Sequence, residues 1–117
     1  NDPQNSYAFI NRGNAKWKLN DFQGAIADYN KAIEINPYLS VAYVNRGTVK
    51  SDLKDYQGAI SDYSKVLEID PQNTYSYIKR GLAKKELKDL KGACEDWKKA
   101  AELGDEISAK LLEEHCQ

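Results

Sequence analysis

The chain has no apolar run approaching the roughly 18 residues that a membrane-spanning helix needs, and its 117 residues contain no methionine. No initiator or signal peptide is visible at its start. One histidine, His115, and two cysteines, Cys94 and Cys116, are all the chain has of either type. No Ser/His/Asp set, metal-spaced His/Cys cluster or glycine-rich phosphate loop can be assembled from them. Catalysis, a metal and a cofactor are therefore not expected. Charge of one sign is not in excess either: 17 basic residues stand against 18 acidic ones, a net charge of −1. That balance gives no pull toward nucleic acid or an anionic membrane, and neither nucleic-acid binding nor membrane insertion is expected.

Proline is scarce, and its placing is informative. Pro3, Pro37 and Pro71 lie 34 residues apart. The same shift superposes Asn11-Arg12-Gly13 on Asn45-Arg46-Gly47 and Lys79-Arg80-Gly81, and Asp21 to Ile26 on Asp55 to Ile60 and Asp89 to Cys94. Ten columns between the prolines hold one residue type in all three copies: Arg, Gly, Lys, Leu, Asp, Gly, Ala, Asp, Lys, Glu. A fixed period of roughly 20–50 residues marks stacked supersecondary units, none of which buries its apolar face alone. The opening Asp2-Pro3-Gln4-Asn5 recurs as Asp70-Pro71-Gln72-Asn73, so the start reads as the tail of a preceding unit.

The pattern resembles the tetratricopeptide (TPR) family, whose repeat is a helix–turn–helix of this period. An aromatic (Phe9, Tyr43, Tyr77) precedes Gly (Gly13, Gly47, Gly81) in helix A. In helix B, Ala (Ala25, Ala59, Ala93) precedes an aromatic (Tyr29, Tyr63, Trp97) and then Ala or Val (Ala32, Val66, Ala100). Arg12, Arg46 and Arg80 stand where the family favours Leu, and Lys16, Lys50 and Lys84 where it favours Tyr. The resemblance implies an all-α, right-handed superhelix of three TPR repeats (about 6–39, 40–73 and 74–104) with a C-terminal capping helix at about 105–116, all in one domain over 1–117.

Within repeat one, helix A is expected over about Ser6–Leu19 and helix B over about Phe22–Ile35, with Asp21 as N-cap; Asn36-Pro37 stops it. Asp55 and Asp89 repeat the cap. Gly24, Gly58 and Gly92 fall in the first turn of helix B, where glycine costs ~0.5–1 kcal/mol against alanine; close backbone approach is the expected cause. Ile107, Leu111 and Leu112 are expected on the inward face of the cap. Residues 74–117 carry 18 charges in 44 positions, and the lysines around the third turn (Lys84, Lys85, Lys88, Lys91) read as a solvated face.

The recurring Arg and Asp columns predict ion pairs Arg12–Asp28, Arg46–Asp62 and Arg80–Asp96. Cys94 occupies the column of Ile26 and Ile60, which in this family faces the next helix. Cys94 and Cys116 are expected as reduced thiols doing apolar work, a bridge between them being the alternative.

As for function, the resemblance implies a non-enzymatic protein-binding module whose groove is lined by helix A. Carried over column by column, the lining is Tyr7, Ile10, Asn11 and Asn14; Val41, Val44, Asn45 and Thr48; Tyr75, Ile78, Lys79 and Leu82. In some TPR domains these columns form a carboxylate clamp for a partner's C-terminus. Asn14 and Asn45 match that clamp and Lys79 replaces its Arg, but Ile10 and Tyr75 fill its two Lys columns, which implies amide contacts to a peptide backbone instead. The alternative is a structural spacer whose open N-terminal face supports self-association.

Overall fold

The computed structural model describes residues 5–117, which form seven helices and no strand. These are α1 (Ser6–Lys18), α2 (Phe22–Ile35), α3 (Ser40–Asp52), α4 (Tyr56–Ile69), α5 (Thr74–Glu86), α6 (Leu90–Glu102) and α7 (Glu106–His115). Each odd helix up to α5 pairs with the even helix after it, and each even helix packs on the next odd one. Helices α1, α3 and α5 also touch in succession. The result is an elongated superhelix, 52 × 25 × 19 Å.

Each A-to-B turn closes the same way. Asn20, Lys54 and Lys88 take φ of 64°, 64° and 69°, which lets the N–H groups of Asp21, Asp55 and Asp89 reach back to the carbonyls of Lys16, Lys50 and Lys84, each at 2.8 Å. That bond satisfies a carbonyl the helix end would otherwise orphan. The three aspartates then cap helix B, accepting from Gly24, Gly58 and Gly92 N–H at 3.0, 3.0 and 2.9 Å. Here the glycines find their reason. A Cβ on them would fall 2.2–2.3 Å from the capping carboxylate oxygen, so the cap side chain, not backbone approach, excludes it.

Packing between the paired helices uses the small residues. Ala25, Ala32, Ala59, Ala93 and Ala100 are fully buried, as are Tyr29, Tyr63 and Trp97. Beside them lie the expected ion pairs, bidentate in all three copies: Arg12–Asp28 at 2.7 and 3.0 Å, Arg46–Asp62 at 2.6 and 2.9 Å, Arg80–Asp96 at 2.7 and 2.9 Å. Lys16, Lys50 and Lys84 add a second cation to the same aspartates at 3.2, 3.3 and 3.1 Å. The guanidinium groups lie over the rings of Phe9, Tyr43 and Tyr77. The Arg and Lys columns are thus one device, a buried carboxylate neutralised twice, which satisfies the requirement that a buried charge be paired. Hydrogen bonds from Arg12, helped by Lys16, hold the Asp28 carboxyl below the usual carboxylate range against the opposing effect of burial.

Two expectations fail at the C-terminus. Cys94 and Cys116 form a disulfide, with Cα atoms 5.9 Å apart, and no free cysteine remains. α7 runs along α6, so the column that faces the next helix in earlier repeats meets the end of α7 here. The inward face of α7 also differs: Ile107 is 63% exposed while Ser108 is fully buried. Asp105 caps α7 by accepting from Ser108 N–H at 2.7 Å, and Ser108, Leu111, Leu112 and His115 turn toward α6, an i, i+3, i+4, i+7 stripe. His115 lies 5.8 Å from the Trp97 ring. Among the described residues, no helix is long and apolar enough to cross a membrane.

Candidate functional site

The A helices present the side chains that could meet a ligand, and the structure sorts ten of the twelve expected residues into four groups, with Asn14 and Ile78 half-buried beside them. Tyr7 and Asn11 are exposed on α1. Ile10 is not available: at 3% exposure it belongs to a core cluster with Ala25, Tyr29 and Ala42. A branched side chain at the junction of α1, α2 and α3 gains more from burial there than on the surface, so this column does serve the core. Val44 and Ile78, its counterparts, are half-buried.

The third group comes together. Val41, Val44, Asn45, Thr48 and Tyr75 line one hollow of about 350 Å³. Three residues absent from the expected set join them: Trp17, Ser40 and Asn73. Trp17 is held by its indole N–H, which donates to Asp52 Oδ2 at 2.8 Å. Its column reads Trp, Ser, Lys across the copies, so the repeat carried no signal for it. The fourth group lies apart. Lys79 and Leu82 line a second hollow of about 340 Å³, with Ser51, Tyr56, Ala83 and Glu86.

Polar contacts fix the first hollow. Asn14 Oδ1 accepts from the Tyr29 hydroxyl and, at 3.0 Å, from Asn45 Nδ2. That leaves the Asn14 amide N–H groups and Asn45 Oδ1 without a side-chain partner among the described residues. Thr48 Oγ1 lies 3.0 Å from the Val44 carbonyl, 3.0 Å from the Tyr63 hydroxyl and 3.2 Å from the Tyr75 hydroxyl. Tyr75 stands edge-on to Tyr63 at 6.4 Å, and the Lys79 amine lies 5.4 Å over the Tyr75 ring. Burial pushes the phenols of Tyr29 and Tyr63 up to about 12. Asn14 and Thr48 therefore have a second task, satisfying the buried hydroxyl of each helix B tyrosine. In the third copy the column holds Leu82 and the aromatic is Trp97, whose buried Nε1 has no hydrogen-bond partner among the described residues.

Stacked helix pairs with a lined inner face define a helical-repeat scaffold of the protein-binding kind. The chain belongs to the tetratricopeptide repeat family, whose model matches residues 6–39 and 40–73. Several solved domains share the whole fold. The first TPR domain of Spaghetti (RPAP3), bound to the HSP90 peptide SRMEEVD, is 27% identical with a TM-score of 0.90, over 99% of this chain and 94% of that one. The TPR domain of Arabidopsis OM64 is 30% identical with a TM-score of 0.85, over 94% and 95%. The first TPR domain of human RPAP3 is 26% identical with a TM-score of 0.87, over 99% and 93%. No curated protein sequence matches.

Proposed function

We propose that the inner face of α1, α3 and α5 binds an extended segment of a partner protein, centred on the hollow between Val41, Asn45 and Tyr75. One observation carries this reading. The hollow joins exposed apolar area to amide groups whose remaining donors and acceptors meet no side chain among the described residues. Peptide recognition uses the same pairing, main-chain hydrogen bonds for affinity and a pocket for one side chain. Tyr75 and Trp17 are of the types that concentrate binding energy at interfaces. A likeness to a domain that holds the peptide SRMEEVD adds support. Non-enzymatic binding is the mode this family generally adopts.

The partner's carboxylate is not the anchor in this reading. Ile10 is buried, Tyr75 offers a ring and a hydroxyl, and Lys79 alone of the clamp columns carries a cation. Without the other charges, most of the charge-assisted bonding to a terminal carboxylate is gone. The test uses a phage-displayed library of linear peptides, selected on the whole chain. Enriched peptides should bind after C-terminal amidation and lose at least tenfold in affinity to the Asn45→Ala and Tyr75→Ala variants. Binding that ignored both substitutions would remove this face from the function. SRMEEVD, free and amidated, serves as the clamp probe: a strong preference for the free acid would restore the clamp.

A further inference from the structure

We infer that the outer face of α1 is a docking surface for one further amphipathic helix, seated on α1 as α2 sits on α3 and α4 on α5. The repeat supplies its own control. Three columns of helix A, and the leucine that follows each helix, are more covered in the second and third copies than in the first. Ala42 and Val49 in α3 are fully buried, and Ser76 and Ala83 in α5 are at most 2% exposed, whereas Ala8 and Ala15 in α1 are exposed. The Arg46 and Arg80 side chains are each 19% exposed, but that of Arg12 is 61% exposed. Leu53 and Leu87 are 39% and 38% exposed, Leu19 80%. Ala8, Arg12, Ala15 and Leu19 fall at i, i+4, i+7 and i+11, one stripe of one helix.

Arg12 says what the occupant carries. Arg46 Nη1 donates to Asn30 Oδ1 at 2.7 Å, and Arg80 Nη1 donates to Ser64 Oγ at 3.1 Å. Asn30 and Ser64 lie on the preceding helix B at one repeat column. Arg12 keeps its two bonds to Asp28, and among the described residues its Nη1 has no such acceptor. The occupant is therefore a helix of the α2 type, small or branched apolar on its inner side, with a neutral oxygen acceptor opposite Arg12. It would extend the interface already built twice in this chain. The B helices of a folded second copy cannot fill the place, because α2, α4 and α6 are already covered by α3, α5 and α7. The helix comes from outside these 117 residues.

The probe is a side-chain-stapled helical peptide of residues 21–39, which contains Asn30, titrated into the isotope-labelled whole chain. Saturable NMR shifts at Ala8, Arg12, Ala15 and Leu19 are expected. Replacing Asn30 by Ala in the peptide should weaken binding about tenfold, the scale of one hydrogen bond to a charged group. The exposed Ala15→Glu substitution in the chain should abolish binding while leaving the helical circular dichroism unchanged. No saturable shift at millimolar peptide, or shifts confined to Asn45 and Tyr75, would overturn the proposal. Binding indifferent to both Asn30→Ala and Ala15→Glu would do so as well. Loss of binding through Asn30→Ala or Ala15→Glu leaves the inner-face reading untouched, since neither substitution lies on that face, whereas shifts at Asn45 and Tyr75 would report on the inner face alone.

Discussion

Repeats one and two are near-equivalents, and repeat three is a variation on them. In the first two copies a helix B tyrosine, fully buried, sends its hydroxyl to a polar residue just after the helix A glycine: Tyr29 to Asn14, Tyr63 to Thr48. In the third, Trp97 and Leu82 replace both members. The first two copies end in Asn36-Pro37 and Asp70-Pro71; the third turns through Gly104 at a φ of 103° into α7. The Ile26 and Ile60 column becomes Cys94, bonded to Cys116. The ion-pair device meanwhile is identical in all three. The Arg–Asp–Lys contact inside each unit is kept, whereas the hydroxyl contact inside repeat three is replaced and its contacts with the next helix change with that neighbour.

The largest expected effect tests the disulfide at the adapted end. It closes a sequence separation of 22 residues, and a loop of that size is worth ~3 kcal/mol. Cys116→Ser should lower the stability of α7 by about that amount in urea while sparing repeats one and two. Hydrogen exchange read by helix checks this; uniform loss across all seven helices would show the end is not a separate unit.

The glycines give a graded comparison. A Cβ on Gly81 would lie 2.5 Å from Trp97 Nε1, on Gly13 2.8 Å from a Tyr29 ring carbon, and on Gly47 no closer than 3.2 Å to any atom. Alanine gains ~1 kcal/mol over glycine inside a helix, while overpacking a rigid ring costs ~1–3 kcal/mol. Gly81→Ala should thus lose about 2 kcal/mol net and Gly47→Ala close to nothing. Urea midpoints in the reverse order would show that the Trp97 ring yields more easily than the Tyr63 ring.

A double-mutant cycle asks whether the tyrosine and its acceptor go together. Trp97→Tyr should cost about 2 kcal/mol, from lost ring volume and a buried hydroxyl facing Leu82. Adding Leu82→Thr should recover about 1 kcal/mol by supplying the partner that Thr48 supplies to Tyr63. Strictly additive losses would deny the coupling.

The smallest effect appears only in alkali. The neutral phenols of Tyr29 and Tyr63 are favoured by burial, with their ionisation moved from 10 to about 12. Their contribution is complete below pH 10, where neither state ionises. It declines as the pH rises toward 12, since the unfolded chain loses those protons first. Tyrosinate absorbance should show a delayed phase that Tyr29→Phe and Tyr63→Phe each reduce. Trp97, which fills the same column in repeat three, has no phenol and adds nothing to it.

Much of this was legible in the chain alone. The period, the bounds of α2, the aspartate caps and all three Arg–Asp pairs come from column identity, because a residue and its partner inside one unit recur together. The site was less legible. Of twelve expected lining residues, five meet in one hollow, Lys79 and Leu82 line another, and Ile10 is buried. Trp17 went unseen because it stands in one copy only.

The sequence by itself determined the fold of each unit, since short-range partners 16 residues apart carry their own geometry, as Arg12 and Asp28 do. Tertiary structure alone decided what each column does at the ends of the stack. Arg12 is exposed where Arg46 is covered, Ser108 turns inward in place of Ile107, and Cys94 meets Cys116. Exposure belongs to a residue's neighbours, and for the first and last helices those neighbours are not the ones the repeat supplies in the middle.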